Sequence, residues 1–220
     1  MEDSEILNND LEAGLSYELT AGREKLMALD IKYTEIQETI KRLLAFDVAV
    51  YQEQIFDLLK NKLIDEWVKY QNERNIATFD MMYFEYHEHS EDQTEAYSYA
   101  ISDLENYDAY NGAYEMGYNY QMLWEAGVGV RLAPFAITEP ISYGKLGEDR
   151  HELIAIEESD SGYDQIWALI ISICEYAFHH AFSKADQAGL FKDLNLKEDG
   201  AFVFTMHDNG TNHRPFYVKR

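Results

Sequence analysis

The chain has 220 residues, 46% of them hydrophobic and 14% aromatic, with a net charge of -23 and a pI near 4.5. Its 3 prolines and 12 glycines are too few for a disordered or fibrous protein, and its length allows one sizeable core. The charge argues against nucleic acid or anionic membrane as direct partners and favours cations, basic proteins and basic substrates.

The single cysteine, Cys174, excludes an intrachain disulfide and a Cys-based zinc site. A reducing, cytoplasmic setting is therefore expected. The acidic start Met1-Glu2-Asp3-Ser4-Glu5 lacks the basic and apolar stretches of a secretory signal. The longest apolar run, Ile166 to Cys174, is broken only by Ser172 and falls short of the about 20 residues that span a bilayer.

Residues 1–75 read as helical. Leu26, Leu29, Tyr33, Ile36, Ile40 and Leu43 recur at steps of three and four, and Leu11, Leu15 and Leu19 extend the stripe upstream. A second helix is expected to start at Asp47, a good N-cap. Its stripe is Val48, Tyr51, Ile55, Leu58, Leu59, Leu63, Trp67 and Tyr70. Two such stripes predict a helical hairpin that serves the core. Their other use would be a homodimer through the N-terminal helices, although about two heptads is short for an independent coiled coil.

The period changes near Ala77. From Phe79 to His89 the chain alternates, as a strand does. Tyr97 and Tyr99 are expected on a second strand, and Gln121–Ala126 reads as a short helix ended at Gly127. Val128–Ile137 and His151–Glu157 read as strands separated by a loop with Pro140, Gly144 and Gly147. Gln165–Ala188 is the clearest helix, with Asp164 as its cap, Gly189 as its stop and apolar residues nearly all round. The chain closes with a hairpin from Ala201–Met206 to Phe216–Val218 through Asp208-Asn209-Gly210. The order predicts an α+β fold. A helical part (1–75) precedes an α+β part (76–220), with a mainly antiparallel sheet and one long buried helix near the C-terminus, in a single globular domain.

The charge is uneven. Residues 77–163 hold 18 acids and 3 bases, a net -15 of the total -23. Arg74 and Arg131 bracket 56 residues without Lys or Arg, among them eleven acids and nine of the 17 tyrosines. Solvated faces normally mix both signs. A one-sign surface costs stability through self-repulsion, and a cationic partner would offset that cost. Tyrosine suits such a partner, because its ring attracts Arg or Lys and its hydroxyl forms hydrogen bonds. The expected binding face is Glu85, Glu88, Glu91, Asp92, Glu95, Tyr97, Tyr99, Asp103, Glu105, Tyr107, Asp108 and Tyr110. The simpler accounts are a core role for the tyrosines and solubility for the acids.

Chemical motifs are sparse. His87 and His89 share one face of a strand with Glu85, a donor set that could hold zinc or a similar divalent metal with a third ligand from His151, His207 or Asp208. A metal-dependent enzyme is the alternative reading on that ground. His179 and His180 lie about 100° apart on a helix, and Cys174 reads as a core filler. No G-x-S-x-G, P-loop or EF-hand spacing is present. The sequence therefore predicts a non-enzymatic acidic protein that occludes a basic partner. Three roles fit: immunity against a toxin, inhibition of a nuclease, or mimicry of DNA.

Overall fold

The computed structural model describes residues 2–31, 34–86, 94–104, 121–138, 141, 162–206 and 214–220. Its helices are α1 (Glu2–Met27), α2 (Thr34–Leu44), α3 (Val48–Leu58), α4 (Ile64–Glu73) and α5 (Tyr163–Gln187). Its strands are β1 (Phe79–Tyr86), β2 (Glu95–Ser102), β3 (Gln121–Glu125), β4 (Val130–Arg131), β5 (Leu196–Met206) and β6 (Pro215–Val218). The sheet order is β3-β2-β1-β5-β6, with β4 also paired to β2. Among the described strand pairs, only β1 and β5 run parallel. The fold is α+β with a mainly antiparallel sheet, a long helix near the C-terminus and a C-terminal β5–β6 pair.

The helical third divides at different places from those the stripes suggested. The Leu26–Leu43 stripe spans a break: α1 ends at Met27 and α2 begins at Thr34. Its spacing survives because Leu26, Ile36, Ile40 and Leu43 are all buried in one core. Asp47 caps α3 as expected, its carboxylate accepting from the Val50 N–H at 3.1 Å. From α3 to α4, Ile55, Leu59, Leu63, Trp67 and Gln71 are buried at successive steps of four. An α-helix repeats every 3.6 residues, so such a row would drift around it. A π-helical turn at Leu59–Leu63 underwinds the helix locally and keeps the row on one face.

The main contacts of α1 and α3 are with α5. Along α5, Phe178 and Phe182 meet Phe84 of β1 and Phe216 of β6, with ring centroids 5.0–5.6 Å apart. Phe202 lies 4.7 Å from Phe182. By length and by its mean hydropathy of 1.2, Asp164–Gln187 could cross a membrane, but here it is a core helix covered on several sides. Its start differs from expectation. Gly162, at φ 72°, holds the cap position, and Asp164 lies in the first turn. The positive φ is what favours glycine there; a Cβ would also press on the side-chain end of Leu29, 2.7 Å from its Cδ1. Its end is as expected. Gly189, at φ 70°, closes a paired C-cap in which the Gly189 and Leu190 amides donate to the Asp186 and Ala185 carbonyls. Asn75 does the same for α4.

Two elements correct the sequence reading. Gln121–Glu125 is strand β3, not a helix: Trp124 opposite Ala100 turns its ring into the core, which overrides local helix propensity. Val128–Ile137 yields only the two-residue β4 followed by a 3₁₀ turn at Phe135–Ile137. The expected strand His151–Glu157 and the turn Asp208-Asn209-Gly210 lie outside the described residues.

Candidate functional site

Strand β2 has two unlike faces. Ala96, Ser98 and Ala100 are buried toward the helices, while Glu95, Tyr97 and Tyr99 are half-buried on the outer face. The period of two dictates this division. Antiparallel register then sets their neighbours. Glu85 of β1 lies opposite Tyr97, Tyr83 opposite Tyr99, and Glu125 of β3 opposite Tyr99. A bulge in β3 brings Met122 opposite Ile101, which puts its exposed side chain (52% accessible) on the outer face too.

The hydroxyls of both tyrosines donate to carboxylates, Tyr97 to Glu95 at 3.2 Å and Tyr99 to Glu125 at 3.3 Å. Tyr97 is held above its ordinary pKa by that bond to Glu95. Burial raises Tyr99, and the charges of Glu85 and Glu125 raise it further. Both phenols therefore stay protonated at neutral pH and act as donors. The Glu95 side chain lies over Gly129, where a Cβ would sit 2.6 Å from its Oε2. Asp103 follows β2, exposed and at φ 59°.

The two arginines that bracket the cation-free stretch return to this end of the sheet. Arg131 is the cross-strand neighbour of Glu95. The Arg74 guanidinium donates to the Leu123 carbonyl at 2.5 Å and lies 5.9 Å from the Tyr70 ring.

Of the residues expected on the binding face, the structure gathers Glu85, Glu95, Tyr97 and Tyr99 on one surface, with Asp103 at the end of β2. Glu88, Glu91, Asp92, Glu105, Tyr107, Asp108 and Tyr110 lie outside the described residues, as do His87, His89, His151, His207 and Asp208. Sequence reasoning left Glu125 and Met122 off the face because it assigned them to a helix. No alternation in this segment could have shown it, because the bulge puts Met122 and Trp124, two residues apart, on opposite faces. Among the described residues, no three His, Cys, Asp or Glu side chains are gathered to hold a metal ion. Cys174 is fully buried and burial pushes its thiol up, as suits a core filler.

This surface combines carboxylates, phenol donors and aromatic rings. Comparison with protein-family models, with characterised proteins and with solved structures finds no match to this chain.

Proposed function

We propose that the chain is a non-enzymatic binding protein that occludes a basic protein partner through the outer face of β1, β2 and β3. The observation that carries this reading is the pair of Tyr–Glu contacts along β2, Tyr97 with Glu95 and Tyr99 with Glu125, beside Glu85. Each contact fixes a carboxylate next to an aromatic ring without neutralising it. A lysine or arginine of the partner meets charge and ring together. The acidity of residues 77–163, net -15, adds long-range attraction and speeds encounter. Within this class, the reading favours an immunity or inhibitor protein acting on a toxin or nuclease, because such partners are basic.

The test is capture from the native organism with immobilised protein at low salt, then elution by salt. A variant with Glu85→Gln, Glu95→Gln and Glu125→Gln serves as control. The wild type should retain a basic protein that salt releases, since screening shortens to about 3 Å at 1 M. The triple variant should associate with it at least about tenfold more slowly, an effect of the size that electrostatic steering contributes. Retention of the same partner by the triple variant at an unchanged rate would refute the assigned face.

A further inference from the structure

Helix α1 runs antiparallel to α5 and meets it in rungs. Gly22 lies against Leu169, where a Cβ would be 3.3 Å from Leu169 Cδ1. Next, Arg214, just before β6, donates both terminal nitrogens to Glu18 of α1 at 2.7 and 2.8 Å and reaches Glu175 of α5 at 3.0 Å. Then Glu12 of α1 faces two histidines of α5, His179 Nε2 at 4.0 Å and His180 Nε2 at 3.6 Å. Last, the Asn8 carboxamide donates to the Val218 carbonyl at 2.8 Å and accepts from the Val218 N–H at 3.0 Å. Between the Arg214 rung and the histidine rung stands Gly14, with nothing within 4 Å of its Cβ position. A mid-helix glycine costs about 1 kcal/mol relative to alanine; Gly22, the other glycine of α1, is packed on Leu169, whereas Gly14 has no such support.

His179 is the switchable member. Its Nδ1 lies 2.7 Å from the Phe216 carbonyl, which can only accept, so Nδ1 carries the proton and Nε2 is bare. The side chain is 2% exposed. Burial lowers its proton affinity, the neighbouring His180 and Arg220 charges lower it further, and Glu12 and the Phe216 bond oppose them. The Tyr217 ring completes its surroundings, 5.7 Å away. Glu175 lies one turn earlier on α5, in the Arg214 rung.

We propose that residues 2–13 form an acid-sensitive strap, hinged at Gly14, that lifts from β6 and the sheet when His179 gains its second ring proton. Lifting the strap exposes Nε2 to water, where the imidazolium is well solvated. The open form therefore binds the proton more readily than the closed one, and acid favours opening. The hinge holds, because Arg214 keeps the Glu18 carboxyl below its usual range and so ionised at pH 5. Leu7 rides on this strap and packs on the outer apolar cluster of Met81, Tyr83, Ile101, Val203 and Val218, which Tyr99 adjoins. Opening would uncover that cluster beside the acidic face. The strap itself does not depend on the face having a partner.

Hydrogen exchange of the free protein at pH 7.5 and 5.0, corrected for intrinsic rates, tests this. Amides of residues 2–13 should lose protection severalfold at pH 5.0 relative to pH 7.5, while β1 and β5 keep theirs. His179→Asn retains a donor for the Phe216 carbonyl and does not titrate, so its strap should show no pH dependence. An NMR titration of His179 in the wild type should place its midpoint below that of free histidine. Unchanged strap protection, equal loss in strap and sheet, a pH response that survives in H179N, or a normal His179 midpoint would each overturn the proposal.

Discussion

Replacing Glu175 by glutamine should stabilise the protein, and only toward alkaline pH. The Glu175 side chain is 14% exposed. Burial pushes its carboxyl from the ordinary 4.5 up to about 7, against the pull of Arg214 and with some help from Glu18. An acid with a raised folded-state pKa holds its proton longer when folded. The contribution of this group to stability is thus greatest below pH 4.5 and declines as pH rises from there through about 7. That interval corresponds to about 3 kcal/mol, with one pKa unit taken as about 1.4 kcal/mol. Glutamine can still accept from Arg214 and carries no charge, so E175Q avoids the alkaline loss. Urea unfolding followed by tryptophan fluorescence reads it well, since Trp67 and Trp124 are both buried. The difference between variant and wild type should be near zero at pH 4.5 and reach 2–3 kcal/mol in favour of E175Q at pH 8.5, with about 3 kcal/mol as the ceiling. A difference independent of pH, or one favouring the wild type at pH 8.5, would mean that the Arg214 pairing outweighs burial and would refute the reasoning.

Asn8→Ala removes both hydrogen bonds to Val218 and leaves a buried backbone pair unmet, so the urea midpoint should fall by the equivalent of about 2 kcal/mol. Gly189→Ala, at φ 70°, should cost about 1 kcal/mol although a Cβ there meets no atom, whereas Asn75→Gly at φ 53° should change stability by less than about 0.5 kcal/mol. Phe84→Ala deletes a ring packed on Trp67, Phe178, Phe182 and Phe216 and should destabilise by about 3–5 kcal/mol in the same assay.

The fold was most legible where a residue has one local use. Asp47 and Gly189 announced a helix start and a helix stop, and both act as their chemistry requires. The alternation from Phe79 found β1. It could not reveal that β1 is buried on both faces, because that depends on β5 arriving in parallel after a crossover through α5. The β3 segment, Gln-Met-Leu-Trp-Glu, consists mostly of good helix formers, and only pairing with β2 makes it a strand. The break after α1 was hidden for a related reason. Periodicity records which face is buried, and two helices lying on one core can share a period across a turn. The Asn8 contact was equally out of reach, since its partner is 210 residues away.

The candidate face was legible as composition before it was legible as geometry. Tyr97 and Tyr99 were expected on one strand, and a period of two puts them on one face. Their partners follow from register, which no local pattern fixes when the intervening chain is long. Register also gives the charge its meaning. Elsewhere acids of this chain meet cations: Asp80 with Lys197, Glu53 with Lys184, Glu18 with Arg214. On the outer face, the hydrogen-bonding partners of Glu95 and Glu125 are phenols. A phenol orients a carboxylate and satisfies one lone pair, yet leaves the full negative charge in place. Burial and neighbouring carboxylates hold these phenols in the protonated form, so the arrangement persists across neutral pH. The same eleven acids scattered among lysines would give solubility with a weaker field. Fixed by tyrosine on one surface, Glu95 and Glu125 keep a directed negative potential, which is the property the proposed basic partner would read.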